Sequence, residues 1–366
     1  MSLDTLSLEQ KVGQLFFIGI AGPDLDGPTR DLLDEVSAGG VCLFARNIRG
    51  PGQTRELLDR LRQYLPATPL LSVDQEGGLV DRLRRIMTPM PAANKMRNAA
   101  DAAMLAKMTG EALSLLGFNM DFAPVVDVID DDRSRFSNGL FSRTFGKNKE
   151  EVIALAGSFL DTLQANGVTG CLKHFPGLGA SQVDSHEQLP VVDIDEAELR
   201  DTDLSPYREL LASSSVQAVM VAHAAFPTHP LQERDQNGKL LPSSLSYNFV
   251  TELLRGELGF DGIVITDDLE MGAIVKNYGI GEACKMALDA GVDMLAICAD
   301  PDAVREGCRA VLSAVKSGEI PQERVDESLE RIARLKTTLS QPAEFDASRL
   351  EDLSQEIAAF TTELVN

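Results

Sequence analysis

The chain has 366 residues, of which 44% are hydrophobic and 25% charged, as in a folded globular protein with a large core. Its 56 acidic and 34 basic residues give a formal net charge of −22, which disfavours nucleic acids and anionic membrane surfaces as partners. No apolar run approaches the roughly 20 residues that a membrane-spanning helix needs.

The cysteines indicate a reducing compartment. There are five of them, an odd number, and no CxxC pair occurs. This pattern favours buried thiols over a disulfide framework or a zinc cluster.

The segment KVGQLFFIGIAG (11–22) resembles an export signal, but its apolar run is short and Asp4 and Glu9 precede it. We therefore expect a cytoplasmic protein, and no metal site.

Short apolar runs recur along the whole chain, and each predicts a buried strand. The eight runs, in chain order, are 13–20, 39–47, 69–78, 118–128, 168–177, 216–226, 261–270 and 292–300.

Stretches with helical spacing separate many of these runs, and they predict helices at 53–65, 102–117, 150–167, 196–213, 248–259 and 301–318. Apolar strands that alternate with helices are typical of parallel sheets covered on their faces. Eight such units favour the α/β class and a closed (β/α)₈ TIM barrel. The absence of GxGxxG after the first strand disfavours a dinucleotide-binding fold.

The C-terminal tail, about 319–366, predicts two more helices, at 323–339 and 348–365. We expect them to pack against the outside of the barrel. No linker or change of composition divides the chain, so we expect a single domain over residues 1–366.

Polar residues follow several predicted strands, where a barrel places its catalytic groups. Most have an alternative structural role. Asp121 and Asp127 could satisfy backbone donors, His223 could be a core histidine, and Lys173 could instead form a Schiff base. Five strand ends that carry polar groups to one rim nevertheless favour a site. The residues at these ends are Asp74, Arg82, Asp127, Arg143, Lys173, His174, His223, Asp267 and Asp268.

The loop KHFPGLGASQVDSHEQLP (173–190) is the most unusual segment. It contains two of the four histidines, His174 and His186, together with Asp184 and several glycines and prolines. Glycine and proline exclude a regular helix or strand over this length.

Together with VDQEGG, DFAPVVDV, SRTFG and ITDDLEM, the motifs KHFPGLG and DSHEQLP resemble glycoside hydrolase family 3. Within it they resemble the single-domain bacterial β-N-acetylhexosaminidases of cell-wall recycling, the β-N-acetylglucosaminidases of peptidoglycan recycling. The motifs run from about residue 9 to about residue 300. Many relatives have KHFPGHG, whereas this chain has Leu178 at the second histidine.

The resemblance implies a retaining mechanism. Asp267 would be the nucleophile, forming a covalent glycosyl ester, and His186 would be the acid/base with Asp184 as its partner. A histidine titrates near pH 6.5, which suits a shuttling acid/base. Gly177 and Gly179 would let the loop close over substrate. Asp74, Arg82, Arg143, Lys173 and His174 would line the sugar site. No metal or organic cofactor is implied.

The implied substrate is a small carbohydrate, a muropeptide fragment with a terminal N-acetylglucosamine, and we expect a monomer. Alternatives stay open. Another sugar specificity, or phosphorolysis instead of hydrolysis, would keep the same site. A catalytically inactive sugar-binding barrel, or an aldolase-type barrel that uses Lys173, would be a different class of protein.

Overall fold

The computed structural model describes residues 5–135, 139–181 and 189–365. It is an α/β fold in which parallel strands lie between helices. The strands are β1 (Phe16–Gly19), β2 (Gly40–Leu43), β3 (Leu70–Val73), β4 (Gln75–Gly77), β5 (Val80–Asp81), β6 (Met120–Asp121), β7 (Thr169–Gly170), β8 (Leu172–Phe175), β9 (Ala218–Val221), β10 (Ile263–Thr266) and β11 (Leu295–Ile297).

Twelve α-helices lie within the described ranges, and several have Asp, Asn or Ser caps. They are α1 (Leu8–Gly13), α2 (Gly27–Val36), α3 (Pro51–Tyr64), α4 (Ala99–Leu116), α5 (Lys149–Ala165), α6 (Glu196–Glu198), α7 (Ser205–Ser213), α8 (Gly272–Val275), α9 (Ile280–Ala290), α10 (Pro301–Ser317), α11 (Gln322–Thr338) and α12 (Ala347–Val365). In these ranges, no helix is long and apolar enough to cross a bilayer.

The parallel strands form two sheets. The larger has the order β11-β1-β2-β3-β6-β7 and the smaller β10-β9-β8. Only Cys171 separates β7 from β8, and a parallel bridge joins Ile265 in β10 to Met294, just before β11. Both edges of the smaller sheet therefore adjoin the larger one. Each of the eight predicted runs contains a parallel strand, so the predicted βα alternation is confirmed.

The run at 69–78 was predicted as one strand, and this is wrong beyond Val73. The chain turns into an antiparallel hairpin of β4 and β5. Gly77 and Gly78 have φ angles of 86° and 60°, in the left-handed region that favours glycine. The hairpin directly follows the carboxyl end of β3, so residues 74–82 lie beside the carboxyl ends of the strands.

Two predicted helices also differ in detail. The segment 196–213 consists of α6, a π-helical turn (Leu199–Asp203) and α7, while 248–257 is π-helical. Backbone bonds from Leu204 to Leu199 (2.8 Å) and from Leu258 to Leu253 (2.9 Å) have the i→i−5 spacing of a π-helix.

A buried carboxylate attaches α11 to the sheet. Asp293, which is fully buried, accepts a hydrogen bond from Arg255 at 2.6 Å and from the Val264 amide at 2.9 Å. From α11, Ser328 donates to the same carboxylate at 2.8 Å and Arg331 at 3.3 Å. The tail helix is therefore held by a charged network as well as by apolar packing.

The second tail helix, α12, packs beside α4. Arg349 forms a bidentate ion pair with Glu111 of α4, with Nη2 2.9 Å from one carboxylate oxygen. The apolar side of α12 contributes Leu350, Leu353 and Ile357 to the core. Both tail helices thus lie where the sequence predicts them.

Candidate active site

A cavity of about 350 Å³ lies at the carboxyl ends of the parallel strands. Its lining comes from positions in or just beyond β2, β3, β6, β8, β9, β10 and β11, from the β4–β5 hairpin and from the segment 139–143. Six residues predicted from the sequence line this one cavity: Asp74, Arg82, Arg143, Lys173, His174 and Asp267. Asp184 and His186 lie outside the described residues.

Lys173 connects two carboxylates at the base of the cavity. Its Nζ lies 2.8 Å from Asp74 Oδ1 and 2.6 Å from Glu76 Oε1. Burial alone would lower the pKa of Lys173, but Asp74 and Glu76 raise it well above its ordinary value. The two adjacent carboxylates thus favour the charged form of Lys173, which is unsuited to Schiff-base formation.

Glu76 also orients Arg143. The guanidinium donates from Nε to Oε2 at 2.7 Å and from Nη2 to Oε1 at 2.9 Å, a bidentate pair. Burial alone would raise the pKa of Glu76, but Arg143 and Lys173 hold it well below its usual range. The buried Glu76 carboxylate thus holds both Lys173 and Arg143 in position.

His174 is held by Asp127 on one side and faces Arg143 on the other. Its Nδ1 lies 2.8 Å from Asp127 Oδ2, and its Nε2 lies 3.4 Å from Arg143 Nη2. A carboxylate only accepts and a guanidinium only donates, so Nδ1 carries the proton and Nε2 presents its lone pair. Asp127 Oδ1 also accepts from the Leu178 amide at 2.7 Å, which connects the ring to the following loop.

Asp267 follows the last residue of β10 and is partly buried in the cavity wall. Its backbone N–H donates to Val221 O of β9 at 3.0 Å. Burial alone would raise the pKa of Asp267, yet neighbouring groups, among them the Asp268 amide and the Lys173 cation, lower it below its ordinary value. The Asp267 carboxylate is therefore ionised, and it receives the Asp268 N–H at 2.8 Å.

Asp268 and His223 support this segment. Burial raises the pKa of Asp268 to about 7, and Glu270 and Asp267 act in the same direction. The buried His223 lies with Nε2 3.1 Å from the Asp268 carbonyl and Nδ1 2.7 Å from Ser244 Oγ. His223 is thus a hydrogen-bonded core histidine that positions the Asp267–Asp268 backbone.

Arg82 makes weaker polar contacts than Lys173 and Arg143, the other two cations of the cavity. Its Nη2 is 3.6 Å from Asp74 Oδ2, and its guanidinium carbon lies 5.8 Å from the centre of the Phe44 ring. Its buried Nε has no hydrogen-bond partner. The Arg82 side chain is 29% exposed and lines the cavity, so its terminal N–H groups can donate to an oxygen acceptor there.

The described part of the loop after β8 is closely packed. An ideal Cβ on Gly179 would lie 2.0 Å from Val128 O, and one on Gly177 would lie 2.6 Å from Asp203 Cβ. Arg133 closes this region by donating to Val128 O at 2.9 Å and Asp203 Oδ1 at 2.8 Å. Both glycines are therefore needed for close approach of the backbone. The predicted freedom of the loop to close stays a prediction.

Sequence reasoning missed Glu76 and left the role of Asp127 open. Glu76 lies two residues after Asp74, so an extended segment would place both side chains on one face, and this spacing is a signal that could have found it. Asp127 satisfies backbone donors and also orients His174, so its two expected roles coexist.

All five cysteines are free and buried, as their pattern predicts. Cys42 and Cys298 line the cavity, and burial raises the pKa of both thiols. Within the described ranges, no group of three or more His, Cys, Asp or Glu side chains is arranged to hold a metal ion.

The model for the glycosyl hydrolase family 3 N-terminal domain matches residues 7–335. The chain belongs to glycoside hydrolase family 3. It is thus a glycoside hydrolase, and the motif resemblance is confirmed. It is 34% identical to a β-hexosaminidase from Tolumonas auensis over 95% of this chain and 98% of the relative. It is 36% identical to a β-hexosaminidase from Pseudomonas aeruginosa over 77% of this chain and 82% of the relative.

Solved structures agree with the family assignment. A family 3 β-N-acetylglucosaminidase from Paenibacillus sp. str. FPU-7 superimposes with a TM-score of 0.86 at 35% identity, covering 97% of this hydrolase and 69% of that chain. A β-N-acetylhexosaminidase from Beutenbergia cavernae gives 0.82 at 30% identity, covering 91% and 99%.

Proposed function

We propose that the protein is a retaining exo-β-N-acetylglucosaminidase that attacks the anomeric carbon with Asp267. The observation that carries this proposal is the position of Asp267, directly after β10, in one cavity with the charged groups of Asp74, Arg82, Arg143 and Lys173. Named relatives and structural neighbours with β-hexosaminidase or β-N-acetylglucosaminidase activity support the sugar class.

We infer that the parallel strands, with β7 and β8 counted together as the fifth of eight, close into a (β/α)₈ barrel. The contiguity of β7 and β8 supports closure on one side, and the Ile265–Met294 bridge supports it on the other. The Thr266 amide also donates to Met294 O at 3.0 Å. A site at the carboxyl ends of the strands is where such barrels carry catalytic groups.

In this proposal Asp267 forms the glycosyl ester. A carboxylate held below its ordinary pKa is available for attack throughout the neutral range. The carboxylate loses charge as the ester forms, and water then opens the ester with retention of configuration at the anomeric carbon.

His186 with Asp184 supplies the acid and base. The imidazole protonates the leaving oxygen in the first step and takes a proton from water in the second. A carboxylate two residues away can fix the tautomer of the ring, as orienting carboxylates do in other dyads. The motif DSH in the family resemblance supports this assignment.

The remaining polar groups would bind the sugar ring. Asp74 has an acceptor oxygen for hydroxyls, while Arg143 and Lys173 donate, and the Nε2 lone pair of His174 accepts. The partly exposed guanidinium of Arg82 would donate to an oxygen of the sugar. A sugar that leaves these buried groups unpaired is penalised, which gives selectivity.

The proposed natural substrate is a muropeptide fragment in which N-acetylglucosamine is linked to anhydro-N-acetylmuramic acid. Five free, buried cysteines support a reducing compartment such as the cytoplasm. Phosphorolysis would use the same nucleophile with phosphate in place of water. Turnover and products measured with and without phosphate separate the two reactions.

Trapping tests the proposal directly. A 5-fluoro N-acetylglucosaminide with an activated leaving group keeps the 2-acetamido group and should label one peptide, and mass spectrometry should locate the adduct at Asp267. Hydrolysis of a chromogenic N-acetylglucosaminide should exceed that of the matching glucoside. An adduct elsewhere would overturn the nucleophile, and equal rates on the two sugars would overturn the specificity. Failure to hydrolyse either glycoside would favour the alternative of a catalytically inactive sugar-binding barrel.

A further inference from the structure

The mouth of the cavity differs chemically from its base. Leu79 lies in the turn of the β4–β5 hairpin with 64% of its surface exposed. In the described ranges only Val365, next to the C-terminus, is a more exposed large apolar side chain. Leu79 nevertheless lines the cavity, together with Leu140 from the loop before α5.

The hairpin tip and the segment that carries Leu140 lie close together. An ideal Cβ on Gly139, the residue before Leu140, would be 3.4 Å from Leu79 Cδ1. Leu79 therefore lies beside this segment, although 60 residues separate Leu79 from Leu140 in sequence. We call Leu79 and Leu140 the rim leucines.

The charged groups are more deeply buried than Leu79. The side chains of Lys173, His174 and Asp74 are 2%, 6% and 17% exposed. Sugar hydroxyls that need hydrogen bonds are thus matched at the base of the cavity. The rim leucines offer no hydrogen bond, and an exposed leucine gains free energy when an apolar ligand covers it.

We propose that Leu79 and Leu140 form the surface on which the leaving group of the substrate rests, so that the enzyme selects leaving groups with an extended apolar face. This inference rests on the proposed function, because an exo-acting enzyme buries the non-reducing sugar and leaves the other half of the substrate at the mouth. The rim leucines are specificity-determining residues and take no part in bond breaking.

The test is a series of alkyl β-N-acetylglucosaminides from methyl to hexyl, with the 4-nitrophenyl glycoside as a reference for activity. Simple alkanols are leaving groups of similar acidity, so differences in kcat/KM report apolar contact. We expect kcat/KM to rise about tenfold from methyl to hexyl, the scale of small apolar differences in enzyme pockets. Leu79→Ser and Leu140→Ser should each reduce the hexyl-to-methyl ratio.

Met104→Ser is the matched control, because Met104 is an exposed apolar residue of α4 that does not line the cavity. It should retain the wild-type ratio. A wild-type ratio near one, or an unchanged ratio in both rim variants, would overturn this inference while the proposed function stands. Absence of hydrolysis across the series and the 4-nitrophenyl reference would overturn both.

Discussion

Asp127 determines which nitrogen of His174 carries the proton: its Oδ2 lies 2.8 Å from Nδ1, and the opposite nitrogen faces Arg143. The same carboxylate holds the Leu178 amide. One buried side chain thus couples the cavity to the loop in which His186 is found.

Asp127→Asn should lower kcat/KM without unfolding the protein. An asparagine that keeps its oxygen on the two backbone amides would present an NH₂ group to Nδ1 and move the ring proton to Nε2, against Arg143. The loss of one charged hydrogen bond predicts a decrease of about 10- to 100-fold. Steady-state kinetics measures it, and Asp132→Asn, an exposed change on the surface, is the control. Wild-type kinetics in Asp127→Asn would contradict the role.

Glu76→Gln should weaken substrate binding, because Glu76 neutralises Lys173 and orients Arg143. The amide has only one acceptor oxygen for two cations, so the guanidinium loses its bidentate geometry. We expect KM for the N-acetylglucosaminide to rise by about tenfold or more, with a smaller change in kcat. Glu56→Gln, on the exposed side of α3, is the matched control. A change confined to kcat would assign Glu76 to the chemical step instead.

His186→Ala should affect substrates according to their leaving groups. An alkyl or sugar leaving group needs a proton, whereas 4-nitrophenolate departs with little assistance. General acid catalysis is typically worth 10²- to 10⁴-fold, so we expect losses of about that size on the disaccharide and much smaller losses on the aryl glycoside. Kinetics on the two substrates measures the difference. Equal losses would remove His186 from the acid role.

Asp121 should make stability depend on pH. Its carboxyl is fully buried beneath the β4–β5 hairpin, with Oδ1 accepting from the Gln75 amide and Oδ2 unpartnered, and burial raises its pKa from 3.8 to about 8. The folded state therefore retains a proton that the unfolded chain loses above about pH 4. The stabilisation is complete below pH 4 and is lost as pH rises toward 8.

Asp121→Asn cannot titrate, so its free energy of unfolding should fall less than that of the wild type between pH 5 and pH 8. Urea unfolding at several pH values measures the two slopes. Asp352→Asn, an exposed change on α12, should keep the wild-type slope. Parallel curves for Asp121→Asn and the wild type would show that the Asp121 carboxyl does not titrate in this range.

Asp293→Ala should strongly destabilise the fold, because it leaves Arg255 and Arg331 without their buried carboxylate. Removal of one partner from a buried ion pair typically costs about 3–5 kcal/mol. Ser328→Ala, which loses one neutral donor to the same carboxylate, should cost only about 1 kcal/mol. Denaturant unfolding compares the variants. Equal losses in the free energy of unfolding would show that the arginine contacts of Asp293 add nothing beyond its contact with the Ser328 hydroxyl.

The sequence by itself was sufficient for the alternation of strands and helices, which depends on local patterns, and the strand ends together with the family resemblance named six residues of the cavity. Apolar runs of strand length report burial, and polar residues just after them must meet at one end of a parallel sheet. Asp74 and Asp267 could be chosen in this way although nearly 200 residues separate them. The hairpin after Val73 was missed, although the polar residues 74–76 and the Gly77–Gly78 pair are a turn signal in the sequence.

Only the tertiary structure decided how these groups act on one another. Protonation depends on burial and on charges a few ångströms away, and those neighbours come from distant segments. Asp267 and Asp268 are identical and adjacent in sequence, yet the pKa of one is lowered and that of the other is raised to about 7. The same reason applies to Glu76 and Lys173. Each shifts the pKa of the other because the folded chain places their charged atoms 2.6 Å apart.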